Sequence, residues 1–239
     1  MNILAIDTST MLGTVALVAN GKLLGQIDLD LPITHTKRIL KGIDNLLKLT
    51  GINLSKIDAF AITKGPGSFT GIRIGIVTVK GLAYALNKPL VSVVTLDALA
   101  RNFLFAPYLI CPMIDAKKEE VFSALYVSRQ GKIEKIYPCC SIKPINLIKK
   151  IKRKTIFAGT GAVVYKTLIE KNMKDLAIFP PCHLNRIQGE VIAHLALEQI
   201  ILGKIDDSLH LAPFYIRPSD AELRTNLQDI RIHDTRYVI

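Results

Sequence analysis

The sequence predicts an α/β protein built from two copies of one α/β unit. Apolar runs of strand length alternate along the chain with segments whose apolar residues recur at three- and four-residue spacing. Each half opens with a strand that ends in aspartate, then a turn, a second strand, a glycine turn and a third strand. Asp7 lies 14 residues before Gly21, and Asp115 lies 16 residues before Gly131. Two such units would enclose a cleft with the two aspartates facing it.

The elements of the first half are predicted from its apolar runs and from the turn residues between them. Asn20-Gly21 is a hairpin signal, and Gly51 and Pro89 mark the ends of helical segments. Ser68 and Thr95 are expected to cap helices. The predicted strands are residues 2–6, 13–19, 23–29, 57–63 and 90–94, and the predicted helices are residues 35–49, 69–86 and 96–103.

The second half repeats this pattern before it becomes less regular. Gln130-Gly131 marks its hairpin turn, and residues 145–151 form a short amphipathic segment. The predicted strands are residues 109–114, 121–127, 133–137 and 155–158, and the predicted helices are residues 162–171 and 190–202.

One stretch, Lys64 to Leu86, joins a strand to a helix through a glycine-rich turn, Gly65-Pro66-Gly67. A glycine inside a helix costs about 1 kcal/mol relative to alanine, and Gly71 and Gly75 would clear one helix face for another backbone. Arg73 lies in the first turns, where the helix dipole favours an anion. We therefore expect an acidic group to dock against Arg73. A tight turn that leads into a glycine-tolerant buried helix is the alternative.

Composition limits the class of protein. The chain has 239 residues, 49% of them hydrophobic, and a net charge of +11 from 31 basic and 20 acidic side chains. The excess is +4 in residues 1–100 and +7 in residues 101–239, which suits a polyanionic partner without selecting one. The four cysteines predict neither a zinc site nor a disulfide framework. The N-terminus lacks a signal-peptide pattern, and the longest apolar stretch, residues 103–114, is too short to span a bilayer. These features predict a soluble, cytoplasmic protein.

Two groups of residues are candidates for a nucleotide cleft. Asp7-Thr8-Ser9-Thr10 follows a buried strand, and Asp115 takes the equivalent place in the second half. Hydroxyl and amide groups in such turns can cradle phosphate, and an aspartate can hold Mg²⁺ through water. Gly159-Thr160-Gly161, between a strand and a helix, could let an adenine or a phosphate come close. The alternatives are two aspartates that end strands at turns, and a plain strand-to-helix connection.

Neither the histidines nor the basic run at residues 149–154 predicts a catalytic residue or a metal site. His35, on the first predicted helix, would need a second histidine four residues on to hold a metal, and that position is Ile39. The other histidines show no ligand spacing, and the sequence contains no persuasive triad or carboxylate pair. No catalytic residue and no metal site is therefore predicted. The basic run at residues 149–154 could contact phosphate, and a solvated segment before a strand is the alternative.

Four segments resemble the TsaB (YeaZ) family, in the glycoprotease-like branch of the actin, Hsp70 and sugar-kinase (ASKHA) superfamily. They are the glycine-rich stretch, I-L-A-I-D-T-S-T at Ile3 to Thr10, M-I-D-A-K-K-E-E-V-F at Met113 to Phe122, and P-F-Y-I-R-P-S-D-A-E at Pro213 to Glu222. The likeness covers essentially the whole chain. It implies the ASKHA (actin-like ATPase, ribonuclease H-like) α/β fold, with two duplicated lobes at residues 1–103 and 104–239.

The resemblance implies a non-catalytic subunit that binds and activates a paralogue, TsaD, in forming N6-threonylcarbamoyladenosine (t6A) at position 37 of tRNAs that read ANN codons. In that family TsaD carries the metal and transfers the threonylcarbamoyl group, and the ATPase TsaE joins the pair. The metal motif H-x-x-x-H of TsaD reads His35-Thr36-Lys37-Arg38-Ile39 here, so one ligand is missing. No cofactor is expected beyond weak or vestigial nucleotide binding. Contact with tRNA would be indirect, through the complex, and no membrane partner is expected.

The pairing surface of the family uses its first two helices, which here are residues 35–49 and 69–86. We expect these helices to present an apolar patch larger than a monomer normally shows. The chain alone would form a homodimer through the same face. The resemblance implies partner contacts for ten residues: His35, Ile39, Ile43, Leu46, Phe69, Ile72, Arg73, Gly75, Ile76 and Val79.

The sequence leaves two other functions open. An ATP-dependent phosphotransferase of the sugar-kinase type would use Asp7 and Asp115 and would bind Mg-ATP tightly. A glycoprotease-like metallopeptidase is argued against by Ile39, which replaces the second metal ligand.

Overall fold

The computed structural model describes residues 1–30 and 35–217, without the side chains of residues 35–37. Residues 218–239, which include the end of the P-F-Y-I-R-P-S-D-A-E segment, lie outside these ranges. The first half contains β1 (Asn2–Asp7), β2 (Gly13–Ala19), β3 (Lys22–Leu29), α1 (His35–Thr50), β4 (Ala59–Gly65), α2 (Phe69–Leu86), β5 (Leu90–Val94) and α3 (Thr95–Arg101).

The second half departs further from the predicted element bounds. It contains β6 (Leu109–Lys117), β7 (Glu120–Arg129), β8 (Lys132–Ile142), α4 (Pro144–Ile148), β9 (Thr155–Ala158), α5 (Thr160–Val164), α6 (Lys166–Met173), β10 (Ala177–Ile178) and α7 (Gly189–Ile201). β8 runs well past its predicted end, the helix predicted at residues 162–171 is divided at Tyr165, and the two-residue strand β10 was not predicted.

The two sheets share one topology, which confirms the internal repeat. The first sheet has the order β3-β2-β1-β4-β5, and the second has the order β8-β7-β6-β9-β10. β1 pairs antiparallel with β2 and parallel with β4, and β6 pairs in the same way with β7 and β9. Both predicted hairpin turns are present, because Asn20 and Gly21 have φ of 50° and 77°, and Gln130 and Gly131 have φ of 49° and 74°.

The helix caps agree with the sequence at one of two predicted positions. The Ser68 hydroxyl accepts from the backbone N of Gly71 at 3.2 Å, as expected of an N-cap. Thr95 is not a cap, because α3 already begins at this residue and Val94 takes the cap position. The Thr95 hydroxyl is buried and has no hydrogen-bond partner among the described residues.

Three apolar cores hold the layers together. α1 and α2 cover one face of the first sheet, and α4, α5 and α6 cover one face of the second. The third core lies between the sheets and includes residues of α3 and α7. α7 belongs to the second half of the chain but packs on β1 and β2. A division between residues 103 and 104 therefore separates the two sheets but not the helices that pack on them.

α2 is the one helix in the described ranges that is long and apolar enough to cross a membrane. Its buried face, Ile72, Ile76, Val79 and Ala83, packs into the core on the first sheet. α2 is thus a core helix with one outward face.

Candidate functional site

The apolar residues predicted to bind a partner lie in the core of the first unit instead. Ile39, Ile43 and Leu46 of α1 are 2%, 5% and 2% exposed, and the core face of α2 is equally buried. The predicted apolar patch is therefore wrong for Ile39, Ile43, Leu46, Ile72, Ile76 and Val79. A helix lying on a sheet buries its most continuous apolar stripe against that sheet, so the spacing identified the core face. The His35 side chain lies outside the described parts of the chain.

The glycines of α2 make room for the same chain rather than for a partner helix. A Cβ built at Gly71 would lie 2.1 Å from the Thr8 backbone oxygen, and one built at Gly75 would lie 2.2 Å from Thr8 Oγ1. Real side-chain atoms do not come this close, so both positions need glycine for α2 to pack on the end of β1. The expected close approach exists, but the backbone that approaches is the turn after β1. Gly75 thus belongs to the internal packing of this chain.

Arg73 is held by aromatic rings, and not by the expected acidic group. Its guanidinium lies 3.8 Å from the centre of the Phe69 ring and 5.7 Å from that of Tyr215, and its Nε donates to the Tyr215 hydroxyl at 2.8 Å. Phe69 and Tyr215 stack with their ring centres 4.7 Å apart. No carboxylate pairs with Arg73 within residues 1–30 and 35–217. The cation is therefore stabilised by the quadrupoles of two rings.

Tyr215 belongs to a segment that returns from α7 to the start of α2 and continues to the second unit. Lys80 of α2 donates to the backbone oxygen of Leu209 at 3.0 Å, and the backbone N of Phe214 donates to the backbone oxygen of Lys64 at 2.7 Å. Arg217 then reaches β7, where Nη1 donates to Glu120 Oε2 at 2.9 Å. This segment links the N-terminal turns of α2 to the second sheet.

The outward face of α2 carries an apolar stripe that sequence reasoning missed. Val77 and Tyr84 are 69% and 76% exposed, and a Cβ built at Gly81 would meet nothing within 4 Å. We call Val77, Gly81 and Tyr84 the outer stripe; their spacing of four and three residues places them on one side of the helix. On α1, Leu40 is also half exposed. The sequence carries one signal for this stripe: Val77 and Tyr84 are hydrophobic residues that do not follow the spacing of the buried face of α2.

The end of β1 forms a closed hydrogen-bond cluster around Asp7. Asp7 Oδ1 accepts from the backbone N of Ser9 at 3.0 Å, from Ser9 Oγ at 2.6 Å, and from the Thr63 hydroxyl. The carboxyl is 1% exposed, and this burial raises its pKa, although the hydrogen bonds from Ser9 and Thr63 act in the opposite direction. The Thr8 hydroxyl is buried without a partner among the described residues, and Thr10 turns its hydroxyl to the Leu12 carbonyl at 3.0 Å. The groups predicted to cradle phosphate thus bind one another, bind a nearby backbone carbonyl or pack against α2.

The equivalent turn of the second unit is also filled by its own chain. A Cβ at Gly159 would lie 2.4 Å from the Met113 backbone oxygen, and one at Gly161 would lie 2.9 Å from Val121 Cγ1. These glycines bring α5 onto β6 as Gly71 and Gly75 bring α2 onto β1. Asp115 forms an ion pair with Lys117 at 2.7 Å, and its backbone N donates to Thr160 Oγ1 at 3.1 Å. The geometry matches a plain strand-to-helix connection, repeated in both units.

No candidate metal centre is found in the part of the chain that the structure describes, because no three or more His, Cys, Asp or Glu residues come together there. All four cysteines are free thiols, and Cys111 is buried.

Comparison with known proteins places this arrangement in a defined class. Residues 32–224 match the family model described as TsaD, tRNA N6-adenosine threonylcarbamoyltransferase. A solved structure from Pseudomonas aeruginosa, described as an uncharacterized protein with similarity to peptidase YEAZ, is 28% identical with a TM-score of 0.76, over 90% of this chain and 99% of that chain. Together with the matching sheet orders, this likeness confirms the predicted ASKHA fold. Fold and sequence therefore place the chain among the relatives of the tRNA N6-adenosine threonylcarbamoyltransferases.

Two curated relatives narrow the class. A Haemophilus influenzae protein named tRNA threonylcarbamoyladenosine biosynthesis protein TsaB is 30% identical over 228 residues, which cover 91% of this chain and 94% of that protein. A Bacillus subtilis protein of the same name is 28% identical over 227 residues, which cover 94% and 97%. The chain belongs to the TsaB family of tRNA threonylcarbamoyladenosine biosynthesis proteins, as the four resembling segments indicated.

Proposed function

We propose that the chain is a non-catalytic subunit that binds a TsaD-type transferase and supports its formation of t6A at position 37 of tRNAs reading ANN codons. The outer stripe of α2 carries the proposal. It is the apolar part of α2 that the core leaves exposed, and it lies on one of the two helices that the family resemblance assigns to pairing. Val77 and Tyr84 would supply apolar area to a partner, and Gly81 between them would allow a close backbone approach.

The geometry of the cleft supports a role without catalysis. Asp7 is buried and already accepts three hydrogen bonds, so binding Mg-ATP there would require these contacts to break. At the turn of the second unit, Gly159 and Gly161 are used to pack α5 closely on β6. A phosphotransferase function would need both sites open, and no described residue offers a replacement carboxylate cluster. We therefore propose that the chain uses no cofactor of its own.

The same stripe would serve two assemblies. A paralogue that shares the fold can present the same helix pair, so a pseudo-symmetric heterodimer and a two-fold homodimer can use one surface. We propose the homodimer for the isolated chain and the heterodimer in the presence of the transferase, with a TsaE-type ATPase joining the pair. We propose that the chain meets tRNA as a member of this complex, in the cytoplasm.

Gly81→Leu tests the pairing surface. The added side chain points into open space in the monomer, so the melting temperature should not fall at concentrations at which the wild-type chain is monomeric. At a packed interface, overpacking of about 1–3 kcal/mol should weaken association roughly 5- to 150-fold. Pull-down of the transferase and sedimentation of the free chain measure the two assemblies.

Thr167→Leu is the matched control, because it adds the same side chain to an exposed helical position of the second unit. It should leave both assemblies intact. Undiminished binding of the transferase by Gly81→Leu would reject the outer stripe as the pairing surface.

A further inference from the structure

The positive charge of the chain is concentrated in one part of the second unit. Residues 143–174 hold nine of the 31 basic side chains and one of the 20 acidic side chains. The rest of the chain has 22 basic and 19 acidic side chains and is nearly balanced. All nine basic side chains of this segment are exposed. A division of the sequence into halves conceals this concentration.

The fold brings two groups of these side chains to one face. Lys149, Lys150, Lys152, Arg153 and Lys154 follow α4, while Lys171 and Lys174 lie at the end of α6. α4 packs against α6, and β9 and β10 run parallel with Thr155 opposite Ala177. Lys154 directly precedes β9, and Lys174 precedes β10 by three residues, so both groups meet where these neighbouring strands begin. We call these seven residues the basic face.

Most charges of the basic face lack a local counter-charge. Outside it, Lys143 pairs with Glu119 and Lys166 with Glu170. Within it, Lys150 donates to the Tyr137 hydroxyl at 3.0 Å. No carboxylate of the described residues lies within 4.0 Å of the other six: Lys149, Lys152, Arg153, Lys154, Lys171 and Lys174. Each helix C-terminus carries the equivalent of about half a negative charge, so the ends of α4 and α6 offset only about one cation between them.

We propose that the basic face binds the sugar–phosphate backbone of RNA, and that within the proposed function, on which this inference rests, the RNA is the tRNA substrate of the complex. When lysine and arginine side chains neutralise phosphates, the cations condensed around the nucleic acid are released, and this release favours binding. Side chains without carboxylate partners are available for this role. The two rings near this face already contact lysines, Tyr137 under Lys150 and Phe179 under Lys166. No free aromatic platform for bases is therefore formed by these rings, and the face positions RNA through its backbone.

A membrane surface fits this face less well. A helix that lies on a membrane presents an apolar side between its cations. Of the apolar residues of α6, however, Ile169 and Met173 are buried in the core of the second unit, and Leu168 is partly buried against that core. The experiment described next therefore measures binding to lipid separately from binding to RNA.

The test compares two triple variants of the full chain with the same change in net charge. Lys152→Gln/Arg153→Gln/Lys154→Gln removes three cations of the basic face, and Lys22→Gln/Lys56→Gln/Lys204→Gln removes three exposed cations elsewhere. Binding of an ANN-reading tRNA transcript is measured over a range of salt concentrations, for the chain alone and for the chain with the transferase. The basic-face variant should bind about tenfold more weakly or worse at low salt, and the slope of log affinity against log salt should fall by about 2.

Three outcomes overturn the proposal: equal losses in the two triple variants, no loss in either, or binding of anionic phosphatidylserine vesicles without binding of tRNA. Lys171→Gln/Lys174→Gln, from the other flank of the face, provides a second variant if the first does not fold, and should also weaken binding. Pull-down of the transferase separates this inference from the proposed function. Both triple variants should still bind the transferase. If the wild-type chain does not bind the transferase, the proposed function is rejected. The tRNA measurement on the chain alone still tests the basic face in that case.

Discussion

Gly71 and Gly81 provide a matched pair that separates internal packing from helix propensity. Both lie in α2, and replacing either with alanine should gain up to about 1 kcal/mol of helix propensity. Their surroundings differ completely. A Cβ at Gly81 meets nothing within 4 Å, whereas a Cβ at Gly71 would lie 2.1 Å from the Thr8 backbone oxygen. The difference between the two variants therefore measures the packing of α2 on the end of β1.

The loss of stability expected for Gly71→Ala follows from how far α2 must move away from the turn after β1. To restore a contact of 3.4 Å, α2 and the turn after β1 must separate by about 1.3 Å. A backbone oxygen cannot rotate away as a side chain can, so we assign the upper end of the overpacking range, about 3 kcal/mol. After the gain in propensity, Gly71→Ala should lose about 2 kcal/mol, and Gly81→Ala should gain up to about 1 kcal/mol.

Thermal unfolding of the two variants is the assay, at concentrations at which the wild-type chain is monomeric, so that a dimer contact at Gly81 does not enter the comparison. For a chain of this length, 1 kcal/mol shifts the melting temperature by about 2–4 °C. We expect Gly71→Ala to melt about 4–8 °C below the wild type and Gly81→Ala to melt at or above it. A Gly71→Ala variant as stable as Gly81→Ala would refute the internal role of the glycines and restore the interpretation in which Gly71 faces a partner.

Two further predictions concern Asp7 and Tyr215. Because burial raises the pKa of Asp7 above its ordinary value of 3.8, wild-type stability should fall as pH rises from about 4 through the folded-state pKa. Asp7→Asn keeps an acceptor oxygen but cannot ionise, so its melting temperature relative to the wild type should rise as the pH rises above about 4; a difference that does not change with pH would contradict this. Tyr215→Ala should lower the free energy of unfolding by about 1–2 kcal/mol, and Tyr215→Phe, which keeps the ring stack, by less than about 1 kcal/mol, as measured by denaturant titration. Equal losses would show that the stack contributes nothing.

Local sequence signals determined the elements and the repeat. Asn20-Gly21 and Gln130-Gly131 fixed two hairpins because few other residues adopt positive φ at both turn positions. Ser68 fixed the start of α2, whose bounds agree with the prediction. The aspartate that ends the first strand of each half correctly indicated two units of one topology.

The tertiary structure decided which face of each element is used. Periodicity shows that Ile72, Ile76 and Val79 share a side of α2, but only packing shows that the first sheet, and not a partner, covers that side. A sequence likewise shows that Gly71 is small, without showing which backbone comes close to it. Of the two rings that hold Arg73, Phe69 lies four residues away on the same helix, but Tyr215 lies 142 residues along the chain, a separation over which no local pattern carries information.

The basic face illustrates the same limit for charge. The run at residues 149–154 is visible in the sequence, where a solvated segment is the simpler interpretation. Lys171 and Lys174 join it only because β9 and β10 lie side by side and α4 packs on α6. Charge density on a surface depends on which segments become neighbours, so it is decided by strand pairing and helix packing rather than by composition.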